Sequence, residues 1–157
     1  MPSVAAARAA EAASPSFANG HGVHPTCFGC GAQRPDRDGM RIFVGPLTVD
    51  GVEEVAAVWH PPAALAGPAP GQVADRWVTA ALDCPGAMAF ISRGESAGLL
   101  GRIVVARYAP VAIGDDTVVL GWQIGRDGRK FLAGTAVAGA DGTIRAAAQA
   151  TWFGFPG

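Results

Sequence analysis

Two patterns of apolar residues divide this chain. From Asp75 to Ser92, Trp77, Ala81, Cys84, Met88 and Ile91 recur at helical spacing, which predicts one long amphipathic helix. Asp75 suits its N-cap, and Gly94 suits its stop. Pro85 lies inside the pattern and removes one backbone donor, so a kink or a broken turn is expected there. Elsewhere the apolar residues come in short runs bounded by turn formers, which predicts strands. The runs are Met40–Gly45 (closed by Pro46), Val52–Trp59, Gly101–Val111, Thr117–Gly125, Arg129–Ala138 and Thr143–Phe153. Asp50-Gly51, Asp115-Asp116, Asp127-Gly128 and Asp141-Gly142 supply the turns, the last three implying an antiparallel meander. Prolines 61, 62, 68 and 70 stiffen the connection into the helix.

The order is therefore two strands, one helix and four strands. This is an α+β arrangement in which the helix covers one face of an antiparallel sheet. A strand edge is left free for a second copy of the chain. Residues 1–22 are Ala/Ser-rich and read as a flexible tail with at most a frayed helix over Val4–Ala13. Residues 23–157 read as the folded domain, entered through a Gly/Pro/Asp/Arg-rich loop over His21–Gly39.

Composition narrows the class. The 157 residues fit one domain; half are hydrophobic and 16% are charged. Twelve basic against thirteen acidic residues give a net charge of −1, which argues against nucleic-acid partners and anionic membrane surfaces. No run approaches the roughly 20 apolar residues of a membrane helix, and the N-terminus lacks the basic start and apolar block of a secretory signal. Three cysteines are too few for a disulfide scaffold, so a cytoplasmic protein is expected.

Asp83 is the main chemical candidate. It is the sole charged residue between Arg76 and Arg93, inside a segment whose composition says core. A lone ionised carboxylate there must be paired, shifted in pKa, or opened to a ligand. It would act as a general base in a cleft, or else cap a helix restarting at Cys84. Asp75, Thr79 and Asp83 fall four apart and form a polar stripe on the predicted helix.

Cys27-x-x-Cys30 supplies half of a zinc site, and no second pair follows. His21 and His24 would have to complete it from the same short loop, so neither metal nor cofactor is expected. Cys84 reads as a small core residue. Arg126, Arg129 and Lys130 cluster at a hairpin, either to hold phosphates or as a solvated turn. Trp59, Trp77, Trp122 and Trp152 read as core or interface anchors, and His60 as a strand-end surface residue.

The segment Ala80-Ala81-Leu82-Asp83-Cys84-Pro85-Gly86 resembles the central-helix motif of actinobacterial acyl-CoA thioesterase-like proteins of the hotdog-fold thioesterase superfamily. Tyr108-Ala109-Pro110-Val111 with Gly114-Asp115 resembles a corner of that superfamily. Gly128-Arg129-Lys130, Asp141-Gly142 and Ala147–Trp152 fit its last strands, and Cys27-Phe28-Gly29-Cys30-Gly31 is similar to the N-terminal loop of some members.

The resemblance implies a hotdog fold, a sheet wrapped around one long central helix, and a homodimer or a dimer of dimers. It implies hydrolysis of an acyl-CoA or acyl-carrier-protein thioester bound between subunits. Asp83 would be base or nucleophile, Thr79 would orient water, and the N–H groups at Asp75 and Arg76 would polarise the carbonyl. Arg126, Arg129 and Lys130 would hold coenzyme A phosphates. The helix start Gly71-Gln72-Val73-Ala74-Asp75-Arg76 departs from the family's Gly-rich element, which keeps open a non-catalytic acyl-thioester binding protein. A hydratase would need a His/Asp pair, and no His lies in the helix region.

Overall fold

A computed structural model describes residues 1–20, 23–35 and 38–154. His21 therefore lies outside the described residues.

Six strands form one antiparallel sheet: β1 (Gly45–Val49), β2 (Val52–Trp59), β3 (Leu99–Arg107), β4 (Thr117–Asp127), β5 (Lys130–Gly139) and β6 (Ile144–Phe153). Their order across the sheet is β1-β2-β4-β5-β6-β3. Register shifts at Leu100/Arg102, Gln123/Gly125 and Val137/Ala138 bend the strands, and the sheet curls around two helices on its concave face. These are α2 (Asp75–Ala81) and α3 (Cys84–Ile91).

The predicted helix is thus present in two pieces, broken where Pro85 withholds a donor. Gly86 N–H turns to the Asp83 carbonyl, 3.1 Å away, and leaves the Leu82 carbonyl without its helical partner. The fully buried Thr135 hydroxyl of β5 donates to that carbonyl at 2.9 Å. Thr135→Val should therefore cost about 1–3 kcal/mol, the price of an orphaned buried acceptor, readable as a lower denaturant midpoint.

Both sheet faces are covered, which explains why β2 and β4 show no polar alternation. Val55, Ala57 and Trp59 of β2 and Val119 of β4 join Leu82 and Met88 in the main core. Ala56 and Val58 of β2 and Val118 and Leu120 of β4 face the other way, onto Ala7 of a further helix, α1 (Val4–Glu11). Where the sequence suggests a flexible tail with frayed helicity, the structure has this helix. Ser3 Oγ caps it, and the Glu11 carboxylate accepts from Val58 N–H at 2.7 Å. Small residues in α1 allow the close approach.

The first strand is displaced from its expected place. Asp50 and Gly51, at φ 50° and 78°, form a tight two-residue turn that pairs Val49 with Val52, so β1 runs up to the turn. Pro46 is tolerated inside β1 because this is an edge strand. Met40, Ile42 and Val44, expected as that strand, are buried against the main core instead.

Asp115-Asp116 is not a hairpin turn either. β3 pairs with β6, so the chain after β3 crosses the sheet to reach β4 beside β2. The β4-β5-β6 meander follows as expected, with Gly128-Arg129 as the turn residues of its first hairpin. The Asp75 N-cap is likewise corrected. Ala74 is the cap, no side chain fills it, and Asp75 is the first helical residue.

Candidate functional site

At the α2–α3 break, Asp83 holds the N-cap position of α3, yet its side chain makes no capping bond. Its Oδ1 is buried without a hydrogen-bond partner. Burial raises the carboxyl pKa above the ordinary range, the charge at Cys27 adds to the rise, and His24 opposes it. The residue lines an open cleft of about 450 Å³ with His24, Cys27, Cys84, Leu99, Leu100 and Trp152. Trp152 Nε1 is a second buried polar atom without a partner, and it lies where a Cβ on Gly86 would come within 2.8 Å. One wall of the cleft thus offers an unpaired acceptor and an unpaired donor.

The opposite wall is the Cys27–Cys30 loop. Cys27 Sγ lies 3.5 Å from Cys84 Sγ, and the three sulfurs of Cys27, Cys30 and Cys84 all fall within 4.8 Å of one another. Cys84 packs against the main core, as read from the sequence, but its sulfur also completes this cluster. The thiols of Cys30 and Cys84 and the N–H groups of Cys30 and Gly29 stabilise negative charge on Cys27, whose pKa falls far below the ordinary thiol range. Bonding to Cys27 pushes Cys30 up to about 12, and the same bonding, with Cys30 and burial adding, holds Cys84 well above an ordinary thiol.

Other residues singled out from the sequence lie elsewhere. Asp75 opens α2, the length of that helix away from Asp83 at the α2–α3 break. At that end Arg107 Nη1 pairs with the Asp75 carboxylate at 2.7 Å, and its Nη2 donates to the Asp75 carbonyl and, at 3.1 Å, to Thr79 Oγ1. Thr79 in turn donates to the Asp75 carbonyl at 3.2 Å. Thr79 thus belongs to a knot between α2 and β3, away from the residues lining the Asp83 cleft. Arg76 lies over the Trp77 ring, 5.0 Å from its centroid.

Arg126 is held by the Gly128 carbonyl and by Glu95, and it covers the Phe131 ring at 4.6 Å. Arg129 donates twice to the Gly154 carbonyl. Lys130 is exposed and opposite Phe153, which is itself opposite Leu99 of the cleft. The basic hairpin therefore stands at the cleft's end of the sheet.

A larger hollow, about 820 Å³, is lined by His60, Asp116, Asp141 and Arg145 among others. Most of its charges are paired: Asp116 meets Arg8 and His60, and Asp141 meets Arg145. The Asp83 cleft differs in having two buried polar atoms without a partner, Asp83 Oδ1 and Trp152 Nε1, on residues of its lining. Trp152 was expected as an anchor and is one, with Phe90 and Phe131. Its part in the cleft follows from the β3–β6 pairing and had no local sequence signal, whereas His24 reaches the cleft on the loop it shares with Cys27.

The fold is the hotdog fold of thioesterase superfamily proteins. No family model matches the sequence, and no curated protein matches it. Solved structures do. One, a thioesterase superfamily protein, is 20% identical with a TM-score of 0.62 over 71% of this chain and 53% of its own, so the match spans about half its length. Zebrafish thioesterase superfamily member 2 is 16% identical with a TM-score of 0.64, over 79% of this chain and 90% of its own. A Streptococcus mutans protein bound to acetyl-CoA is 13% identical with a TM-score of 0.61, over 71% and 88%. Among the described residues, no helix is long and apolar enough to cross a membrane.

Proposed function

We propose that this protein hydrolyses acyl thioesters of coenzyme A or an acyl carrier protein, with Asp83 as base or nucleophile. The observation that carries this reading is the buried, unpartnered Asp83 Oδ1 in an open cleft. As a base, the carboxylate takes a proton from water while the water oxygen attacks the thioester carbonyl carbon. Collapse of the tetrahedral adduct breaks the C–S bond, and the leaving thiolate recovers the proton from Asp83. The likeness to an acetyl-CoA-bound structure supports coenzyme A as the carrier. Lys130, exposed near the cleft's end with Arg126 and Arg129 behind it, would meet the phosphates in this reading.

A second copy completes the site in this reading. β3 is a nine-residue edge strand with Leu99 and Val104 more than half exposed, which suits pairing with its own copy. Antiparallel β3–β3 pairing about a two-fold axis sets the Leu99 end of one protomer beside the Arg107 end of the other. Asp83 of one copy then faces the start of α2 of its partner. There Arg107 draws the Asp75 carboxylate aside, leaving the N–H groups of Asp75 and Arg76 for the developing oxyanion. Thr79 Oγ1, which donates to the Asp75 carbonyl and accepts from Arg107, keeps one lone pair to orient the attacking water. Free cysteines in all three positions suit a reducing cytoplasm.

A non-catalytic acyl-thioester binder is the second reading. It is favoured by the Arg107 knot, which engages Thr79 and removes it from the Asp83 cleft. Thiol release from short, long and aromatic acyl-CoAs decides. Turnover establishes the hydrolase; saturable binding without thiol release across the panel establishes the binder.

A further inference from the structure

The three cysteines are chemistry-bearing groups that hydrolysis at Asp83 leaves unused. Cys27 and Cys30 come from one loop, and Cys84 stands 54 positions further along at the first residue of α3. All three sulfurs nevertheless gather within 4.8 Å. Tetrahedral zinc with Zn–S bonds near 2.3 Å sets neighbouring sulfurs roughly 3.8 Å apart, and the Cys27–Cys84 separation is 3.5 Å.

The loop is built for this approach. Cys27 N–H donates to the His24 carbonyl at 3.1 Å and Gly31 N–H to the Cys27 carbonyl at 2.9 Å, closing a tight Cys-x-x-Cys-Gly turn. A Cβ on Gly31 would stand 2.5 Å from the Cys27 carbonyl oxygen, and one on Gly29 would stand 3.2 Å from Cys84 Sγ. Both glycines are therefore dictated by the packing of the turn and by the arrival of the third sulfur. Cys30 is buried, while Cys27 and Cys84 face the cleft beside the unpartnered Asp83 oxygen.

We infer that Cys27, Cys30 and Cys84 form a zinc site, three thiolates with the fourth position opening on the cleft beside Asp83. Soft sulfur donors select zinc over magnesium or calcium. Binding expels the thiol protons to solvent and involves no change of oxidation state. The metal fastens the loop ahead of β1 to the α2–α3 break, which fixes the wall of the cleft. The site serves a hydrolase and a binder alike, so its failure and the failure of the hydrolase reading are separate results.

Native mass spectrometry of the untreated full chain, purified without chelator, should show one zinc per chain. After removal of zinc by a chelator under reducing conditions, Co²⁺ should add in one equivalent and raise a thiolate-to-cobalt charge-transfer band that Zn²⁺ abolishes. Cys27→Ser and Cys84→Ser should each lose that band, with circular dichroism reporting whether the variant is folded. Three reactive thiols in a metal-free, folded protein that raises no charge-transfer band would overturn the site. So would a mass two hydrogens lighter from a Cys27–Cys84 disulfide. The untreated chain answers directly, whatever the variants' folding.

Discussion

Asp83→Asn is expected to lower acyl-CoA hydrolysis by about 10²–10⁴-fold, the usual contribution of a positioned base, while leaving the melting temperature equal or higher. The amide has almost the same shape but cannot take a proton. In the native chain one carboxylate oxygen is buried without a partner, and burial raises the cost of its charge. Removing that charge relieves strain instead of breaking a bond, so a loss of rate cannot be assigned to unfolding. A structural N-cap would behave oppositely, losing stability on substitution; here the cap makes no side-chain bond. Steady-state thiol release and a thermal melt on the same two samples make the comparison. A variant that keeps its rate would assign the base to another group.

Gly121→Ala should be among the most damaging small substitutions in the sheet. An added Cβ would stand 2.2 Å from the Pro85 carbonyl oxygen and 2.6 Å from its carbon. Those are backbone atoms and cannot rotate away, so β4 and the first turn of α3 must separate. Overpacking of this kind costs about 1–3 kcal/mol or more. For a chain of this size that corresponds to a melting temperature lower by roughly 2–12 °C. The separation also displaces Asp83 and Cys84, so turnover should fall in the molecules that remain folded. Gly125, four residues on in the same strand, has nothing within 4 Å of the equivalent Cβ, and Gly125→Ala should leave both properties unchanged.

The legible parts of this fold were those that local chemistry decides. Asp50-Gly51 and Asp127-Gly128 mark their hairpins because few residues tolerate the backbone there. Pro85 marks the helix break because it has no N–H to give. The Ala80–Gly86 segment placed Asp83 at that break and suggested the hotdog fold that the structure has. The illegible parts are contacts between distant segments. β3 pairs with β6 and not with its chain neighbour, so the Asp115-Asp116 signal marked a crossing instead of a hairpin. Cys84 looked like a core residue because its two sulfur neighbours in space, Cys27 and Cys30, lie more than fifty positions away in sequence. Thr79 sits on the predicted helical stripe with Asp83, but Arg107 from β3 claims it. Helix α1 was hard to see for another reason: its buried face is made of alanines, which sequence reads as tail composition, and its burial depends on Ala, Val and Leu residues of β2 and β4 far along the chain.

The pairing of β3 also sets when the cleft can exist. Among the described strands, β3 hydrogen-bonds to β6 alone, and residues 99–107 leave the ribosome well before residues 144–153. During synthesis β3 therefore waits, with half of its apolar side chains in water, until the last strand arrives. β1, β2, β4 and β5 can already form a sheet over α2 and α3 by then. Leu99, Leu100 and Trp152 reach their places in one closing event. The nascent chain thus holds the Asp83 carboxylate in an unfinished surface, and the cleft is completed only with the ten residues of β6.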